Sequence, residues 1–252
     1  MFRLIHEMRV RIITAPAFTS EKIIGAILFE ATMDGQMEGK PVPSFLWNDR
    51  GVMPFLKVDK GQQTEADGVQ LMKPIPGLDD LLARAVKLGI FGTKMRSVIA
   101  QNSPAGIAAI AKQQFEVGAQ ISAHGLMPIL EPEVSIKCPD KAGAEATLRA
   151  ELQKGLDALP EGTQVMLKLT IPDVANFYRP LIGHPRVARV VALSGGYTRA
   201  DACEKLSHNH GMIASFSRAL INELKKQMSD EEFNTALQTS VDEIYQASVK
   251  KV

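Results

Sequence analysis

Four successive apolar segments of the sequence end in polar residues that stand two positions apart. These pairs are Lys57 and Asp59, Lys94 and Arg96, Glu131 and Glu133, and Lys168 and Thr170. On a β-strand, residues two apart face the same side of the sheet. Because charged groups are rarely buried without partners, such a ring predicts either a catalytic site or a structural network of ion pairs.

Lys168 is the best candidate for a nucleophile in this ring. Its sequence neighbours, including Leu167 and Leu169, are apolar, and the cations of the preceding segments should lie near it. Desolvation and neighbouring cations both lower an amine pKa, which yields a free amine at neutral pH. A free amine can attack a ketone and form an iminium, an electron sink for breaking a carbon–carbon bond. The alternative is that Lys168 only forms an ion pair with Glu131 or Glu133.

Glu131 and Glu133 share one strand face and should perturb each other. One carboxyl group can then stay protonated as a general acid while the other pairs with Lys94 or Arg96. Pro132 lies between them and has no N–H to donate, so we expect it at the end of a strand.

A phosphate-binding site is predicted near the C-terminus. Ser194, Gly195 and Gly196 follow the apolar segment Val187–Leu193, and Arg218 follows the next segment at the start of a predicted helix. Counted back from the C-terminus, these are strands seven and eight of a barrel, and the loops after those strands often bind phosphate. Glycines let backbone N–H groups approach an anion, and arginine supplies a positively charged guanidinium group. A simple turn is the alternative for the Ser-Gly-Gly sequence.

These side chains must be positioned by an alternation of short apolar segments and longer helical patterns. The segments are Ile23–Phe29, Val52–Val58, Ile90–Met95, Met127–Leu130, Gln164–Leu169, Val187–Leu193 and Gly211–Phe216. Nearly continuous apolar runs are typical of parallel strands buried on both faces. The pattern predicts a single α/β domain over residues 1–252, with the architecture of a parallel (β/α)8 TIM-type barrel.

Only seven of the eight barrel strands are visible in the sequence. Residues 1–13 have the pattern of an amphipathic helix, so the first strand of the barrel is expected to be missing. A barrel that lacks one strand exposes two sheet edges, which favours instability or self-association as a homo-oligomer.

The composition excludes several classes of protein. The 252 residues carry a net charge of +1, which does not favour a nucleic-acid partner or a polybasic membrane anchor. No apolar run is long enough to cross a membrane. The two cysteines, Cys138 and Cys203, lack metal-site or redox spacing. We therefore predict a soluble cytoplasmic protein.

Motifs along nearly the whole chain resemble those of class I fructose-1,6-bisphosphate aldolases, the Schiff-base type, in their shorter bacterial branch. The motifs are Ala26-Ile27-Leu28-Phe29, Phe55-Leu56-Lys57-Val58-Asp59-Lys60-Gly61, Gly92-Thr93-Lys94-Met95-Arg96, Ile129-Leu130-Glu131-Pro132-Glu133, Met166-Leu167-Lys168-Leu169, Leu193-Ser194-Gly195-Gly196 and Ser215-Phe216-Ser217-Arg218-Ala219-Leu220. The resemblance implies reversible cleavage of fructose 1,6-bisphosphate into dihydroxyacetone phosphate and glyceraldehyde 3-phosphate.

The resemblance also implies a role for each residue of the ring. Lys168 matches the imine-forming lysine, and Glu131 the acid/base that helps to dehydrate the carbinolamine. Lys94 matches a lysine that stabilises charge at the reacting hydroxyls, and Glu133 a carboxylate beside it. Ser194, Gly195 and Arg218 match the site for the phosphate of the dihydroxyacetone half, and Lys57 and Arg96 match positions near the other phosphate. Asp59 and Gly196, which belong to the same motifs, are further candidates for substrate binding. The implied reaction needs no metal or other cofactor, because the iminium replaces a Lewis acid.

The chain departs from the family pattern at both ends. The family's first strand, which ends in an aspartate beside the imine lysine, has no match, and the sequence stops at Val252 without a long tyrosine-ended tail. Loss of one general acid/base commonly costs about a hundredfold or more in rate. We therefore expect imine formation on Lys168 with strongly reduced cleavage. Two alternatives are an inactive barrel that serves as a phosphate-binding or oligomerisation module, and an imine-forming aldolase for a different sugar phosphate.

Overall fold

The computed structural model describes the backbone of residues 2–252 and the side chains from Glu7 onwards. The strands are β1 (Gly25–Leu28), β2 (Gln36–Met37), β3 (Lys40–Pro41), β4 (Met53–Lys57), β5 (Val69–Gln70), β6 (Gly92–Ile99), β7 (Met127–Val134), β8 (Val165–Thr170), β9 (Val187–Leu193) and β10 (Ile213–Ala214). The helices are α1 (Phe2–Thr14), α2 (Glu30–Met33), α3 (Val42–Arg50), α4 (Leu78–Lys87), α5 (Pro104–Ala123), α6 (Lys141–Asp157), α7 (Arg179–Ile182), α8 (Arg199–Ser207), α9 (Arg218–Ile221) and α10 (Asp230–Val249). The predicted N-terminal helix is confirmed as α1, although Met1 lies outside the described residues.

Seven parallel strands form one curled sheet in the order β1-β4-β6-β7-β8-β9-β10. Each overlaps one of the seven predicted apolar segments, and their consecutive order is that of a (β/α) barrel. Strands β1 and β10 are the two edges of this sheet in the described part of the chain. The expected α/β class and barrel order are therefore confirmed, and the described sheet is an open one.

Three short strands were not predicted. Strands β2 and β3 form a small antiparallel hairpin, and β5 pairs antiparallel with the far end of β6. Each is two residues long, too short for an alternating pattern to be visible in the sequence.

The predicted ends of β6 and β7 were wrong. We expected these strands to end at Met95 and Leu130, but they continue in register to Ile99 and Val134. Pro132 therefore lies inside β7 and not at its end. It lies beyond the last register pair between β7 and β8, Leu130 with Leu167, so no ladder donor to β8 is needed at this point.

Helices and core residues fix the strands in place. Leu56, Leu130 and Leu167 are fully buried in one continuous hydrophobic cluster. Side chains cap two of the helices: the Ser103 hydroxyl accepts from the Gly106 N–H at the start of α5, and Ser229 and Glu232 form a capping box at the start of α10. Within residues 2–252, no helix combines the length and apolarity needed to cross a bilayer.

Candidate active site

Lys168 lies in strand β8 and is 8% exposed. Its Nζ atom is 3.1 Å from Oε1 of Glu131, while Leu167 and Leu169 on either side of it are fully buried. Burial lowers the pKa of Lys168, the positive charge of Lys94 lowers it further, and the carboxylates of Glu131 and Glu133 only partly oppose the shift. The site therefore favours the free amine that nucleophilic attack requires.

Glu131 stands between two buried lysines. Its Oε1 atom faces Lys168, and its Oε2 atom is 2.7 Å from Nζ of Lys94. Both lysines and the carboxylate are almost completely removed from solvent. A single carboxyl group can thus exchange a proton with a reaction at Lys168 while Lys94 stabilises its anionic form.

Asp59 lies behind the lysines and does not line the cavity described below. Its Oδ1 atom accepts a hydrogen bond of 2.5 Å from Lys57 Nζ, and its Oδ2 atom accepts one of 3.1 Å from the backbone N–H of Arg96. Lys94 Nζ is 3.7 Å away. Burial raises the pKa of Asp59, but the charges and hydrogen bonds of Lys94, Lys57 and Arg96 outweigh burial and hold it below its ordinary value. Asp59, which follows β4, thereby holds β4 and β6 of the ring at fixed spacing.

Arg96 and Glu133 form the more exposed part of the ring. Arg96 Nη1 donates a hydrogen bond of 3.1 Å to Glu133 Oε2, which is the predicted pairing of the second carboxylate. Gln62, in the loop after β4, accepts from Arg96 Nη2 at 3.4 Å and donates to the Arg96 carbonyl at 3.1 Å. Gln62 was missed, because a single glutamine in a loop forms no pattern in the sequence.

Thr170 does not complete the ring. Its hydroxyl donates a hydrogen bond of 2.6 Å to the carbonyl of Val134 and is buried. It therefore joins the far ends of β7 and β8 and leaves Lys168 as the polar residue that β8 contributes to the cavity.

Two glycines after β9 adopt backbone conformations that favour glycine. Gly195 has φ +60° and Gly196 has φ +110°. A Cβ atom on Gly195 would lie 2.8 Å from Ile136 Cγ2, and one on Gly196 would lie 4.0 Å from Arg218 Nη2. The predicted Ser-Gly-Gly turn and Arg218 are therefore neighbours, as a phosphate site requires.

One cavity of about 1330 Å³ brings the predicted residues together. All the predicted site residues line it except Asp59 and Gly196. Apolar residues of α1, β1, β10 and α10, such as Ile12, Ala26 and Ile244, form much of the remaining wall. These residues were not predicted, since apolar side chains on helices are indistinguishable from ordinary core residues.

A buried amine with a lowered pKa, at the charged mouth of a parallel α/β barrel sheet, is typical of barrel enzymes that form a Schiff base with their substrate. The ion pairs alone would also fit a purely structural network. Similarity to known proteins identifies the family to which the chain belongs.

The model of the family "fructose-bisphosphate aldolase class-I" matches residues 5–147. The chain is 59% identical over 250 residues to fructose-bisphosphate aldolase class 1 of Porphyromonas gingivalis, with 99% of this chain and 85% of the relative covered. The Synechocystis protein of the same name is 57% identical over 249 residues, with 99% and 83% covered. This chain belongs to the class I fructose-bisphosphate aldolase family.

A solved structure of fructose-bisphosphate aldolase from Plasmodium falciparum has a similar fold. The TM-score is 0.75 at 23% sequence identity, over 92% of this chain and 80% of that one. The curled parallel sheet is therefore that of an aldolase barrel.

Proposed function

We propose that Lys168 forms the Schiff base through which this class I aldolase reversibly cleaves fructose 1,6-bisphosphate into dihydroxyacetone phosphate and glyceraldehyde 3-phosphate, in glycolysis and gluconeogenesis. The observation that carries the proposal is the buried Lys168 amine, 3.1 Å from Glu131, in the cavity that also contains Ser194 and Arg218. Named relatives that are 59% and 57% identical to this chain over the aligned residues support the substrate.

The first half of the reaction is formation of the iminium. The free amine of Lys168 adds to the ketone carbon, and Glu131 donates a proton to the carbinolamine oxygen, which leaves as water. Lys94, 2.7 Å from Glu131, stabilises the carboxylate that remains. The lowered pKa of Lys168 increases the fraction of the amine whose electron pair is free for this step.

The second half is breakage of the C3–C4 bond. Its electron pair moves into the iminium while the C4 hydroxyl gives its proton to the Glu131 carboxylate, so that the aldehyde product and an enamine form. Lys94 stabilises negative charge at the reacting oxygens, and Glu133 orients Arg96 beside it. Return of the proton to the enamine carbon, followed by addition of water to the iminium, releases dihydroxyacetone phosphate and restores Lys168.

We propose that the two phosphates bind at opposite sides of this centre. Ser194, Gly195, Gly196 and Arg218 are suited to the phosphate of the dihydroxyacetone half. Lys57 and Arg96 are suited to the other phosphate. Asp59 has both carboxylate oxygens occupied by Lys57 and the Arg96 N–H, so we assign it to positioning these cations and not to direct contact with substrate.

Further expectations concern the protein as a whole. We expect residues 1–252 to behave as one domain, which the continuous core cluster supports. We expect it to work in the cytoplasm, without nucleic acid or membrane partners, and to self-associate through its sheet edges. No observation favours an inactive phosphate-binding or oligomerisation module.

Borohydride trapping with dihydroxyacetone phosphate, followed by peptide mass spectrometry, tests the proposal directly. We expect one reduced adduct on Lys168, none in Lys168→Met, and turnover of fructose 1,6-bisphosphate by the unaltered chain. Lys141→Met is the matched control, because Lys141 is another buried lysine paired with a glutamate but lies outside the cavity. An adduct on another lysine, or equal loss in both variants, would contradict the assignment. Rates with ketose mono- and bisphosphates would reveal an aldolase for a different sugar phosphate.

A further inference from the structure

A glutamine on the outer helix layer bonds to two of the strands that carry the catalytic residues. Gln114 lies in α5 and is completely buried. Its Nε2 atom donates to Ser97 Oγ at 2.8 Å and to the Met95 carbonyl at 3.3 Å, both in β6. Its Oε1 atom accepts from the backbone N–H of Glu131 in β7 at 3.2 Å.

The bonded groups are those that carry the reacting side chains. Met95 stands between Lys94 and Arg96, and Glu131 bears the carboxyl group that faces both Lys94 and Lys168. The β7–β8 register ends at Leu130, immediately before Glu131. The Gln114 amide therefore holds the Glu131 backbone where pairing with the neighbouring strand stops.

The helix is seated closely enough to fix this amide. Gly118, one turn further along α5, has so little room that an added Cβ atom would lie 3.1 Å from Leu130 Cδ2. A glycine at this position lets the helix approach β7 closely. Gln114 is thus held between a rigid helix and the two strands.

We propose that Gln114 is a positioning residue that sets the spacing between Lys94 and Glu131 and, through Glu131, the protonation steps at Lys168. This inference rests on the proposed function of Lys168 and Glu131. Gln114 itself contacts neither the cavity nor these side chains. Its effect on the reaction is therefore transmitted through the backbones of Met95 and Glu131.

Two variants of different chemistry test the proposal, Gln114→Leu and Gln114→Glu. The leucine removes all three hydrogen bonds, whereas an ionised glutamate keeps the acceptor for Glu131 and loses the donor to β6. Misplacement of a catalytic group by about 1 Å can cost about a hundredfold, so we expect kcat to fall by about 10- to 100-fold in Gln114→Leu. We expect KM to change little, because the phosphate-binding residues are untouched, and the rate of borohydride-trapped imine formation to fall with kcat.

Gln113→Leu is the matched control. Gln113 is the adjacent half-buried amide of α5, and it bonds to the backbone of Met72 instead of a catalytic strand. We expect its kcat and its trapping rate to stay near those of the unaltered protein. A variant that is only less stable would contain fewer folded molecules. Its kcat, calculated per active site counted by borohydride trapping, would remain unchanged.

Several results would overturn the proposal. The first two are a nearly unaltered kcat in Gln114→Leu and an equal loss of kcat in Gln113→Leu. The other two are a rise of KM instead of a fall of kcat in Gln114→Leu, and failure of both Gln114 variants to fold. A crystal structure of either variant gives a readout that is independent of activity. If Lys94 Nζ and Glu131 Oε2 remain 2.7 Å apart, as they are with Gln114 present, the positioning role is wrong. If the unaltered protein yields no adduct on Lys168, the proposed function fails, and this distance still decides the role of Gln114.

Discussion

Replacement of Glu131 by glutamine should damage stability and catalysis by separate routes. The carboxylate faces Lys94 at 2.7 Å and Lys168 at 3.1 Å. With an effective dielectric constant of about 20, Coulomb's law assigns about 6 and about 5 kcal/mol of gross attraction to these two separations. Most of this attraction is offset by the desolvation of the three groups. Breaking a buried ion pair by removal of one partner typically costs about 3–5 kcal/mol. We expect Glu131→Gln to destabilise the protein by about 3 kcal/mol, since Lys168 can release its proton.

The same change should also slow catalysis in the molecules that remain folded, which the loss of stability alone would not do. Glutamine cannot donate or accept the proton of the carbinolamine step, and a positioned acid/base contributes about 10²- to 10⁴-fold to the rate. That loss corresponds to about 3–5 kcal/mol in the barrier. We expect kcat to fall by at least about a hundredfold in folded Glu131→Gln.

Glu145→Gln separates the two effects. Glu145 is equally buried and pairs with the buried Lys141, outside the cavity. Urea unfolding should report a similar loss of stability in both variants, while turnover and borohydride trapping should fall only in Glu131→Gln. If Glu131→Gln turns over within about threefold of the unaltered protein, the assignment of acid/base chemistry to Glu131 is wrong. Equal rate losses in the two variants would attribute the effect to stability alone.

Three further predictions follow from the site. Because burial lowers the pKa of Lys168, the rate of imine trapping should rise with pH as the amine loses its proton, with a midpoint below the value of about 10.4 for an ordinary lysine; a midpoint at that value contradicts the role of burial. Gly195→Ala adds a Cβ atom 2.8 Å from Ile136 at a φ of +60°. Binding of dihydroxyacetone phosphate, measured by calorimetry, should therefore weaken by about tenfold or more, a loss of about 1.4 kcal/mol. Unchanged affinity would exclude this turn from the phosphate site. Lys57→Met removes a cation at the cavity, so KM should rise for fructose 1,6-bisphosphate but not for fructose 1-phosphate; an equal rise for both substrates would argue against a second phosphate site there.

The seven parallel strands could be predicted because continuous apolar runs have few other stable locations in a protein of this size. The ends of β6 and β7 could not, since the sequence pattern treats Lys94 and Glu131 as polar residues that end a strand. In the structure, these two opposite charges lie 2.7 Å apart and neutralise each other, and the strands continue to Ile99 and Val134. Whether a charge terminates a strand depends on a partner that is distant in the sequence.

The residues to which we assign the chemistry stand out in the sequence, and their supporting residues do not. Lys168 and Glu131 stand out because charged side chains interrupt apolar strands at a regular spacing. Gln114 and Gln62 are single amides on a helix and in a loop, where polar residues are common. Only the hydrogen bonds of the folded chain identify them, such as those from Gln114 to Ser97 and from the Glu131 N–H to Gln114.

The sequence by itself determined which side chains share a strand face, since alternation along a strand is a local property of the backbone. It also determined the order of the seven parallel strands and the glycine turn after β9. The tertiary structure alone decided the separations among Lys94, Glu131 and Lys168, and the burial that lowers the pKa of Lys168. Coulomb attraction depends on distance, and desolvation depends on the surrounding packing. Both quantities are set by residues far apart in the chain, so neither can be obtained from the spacing of residues along it.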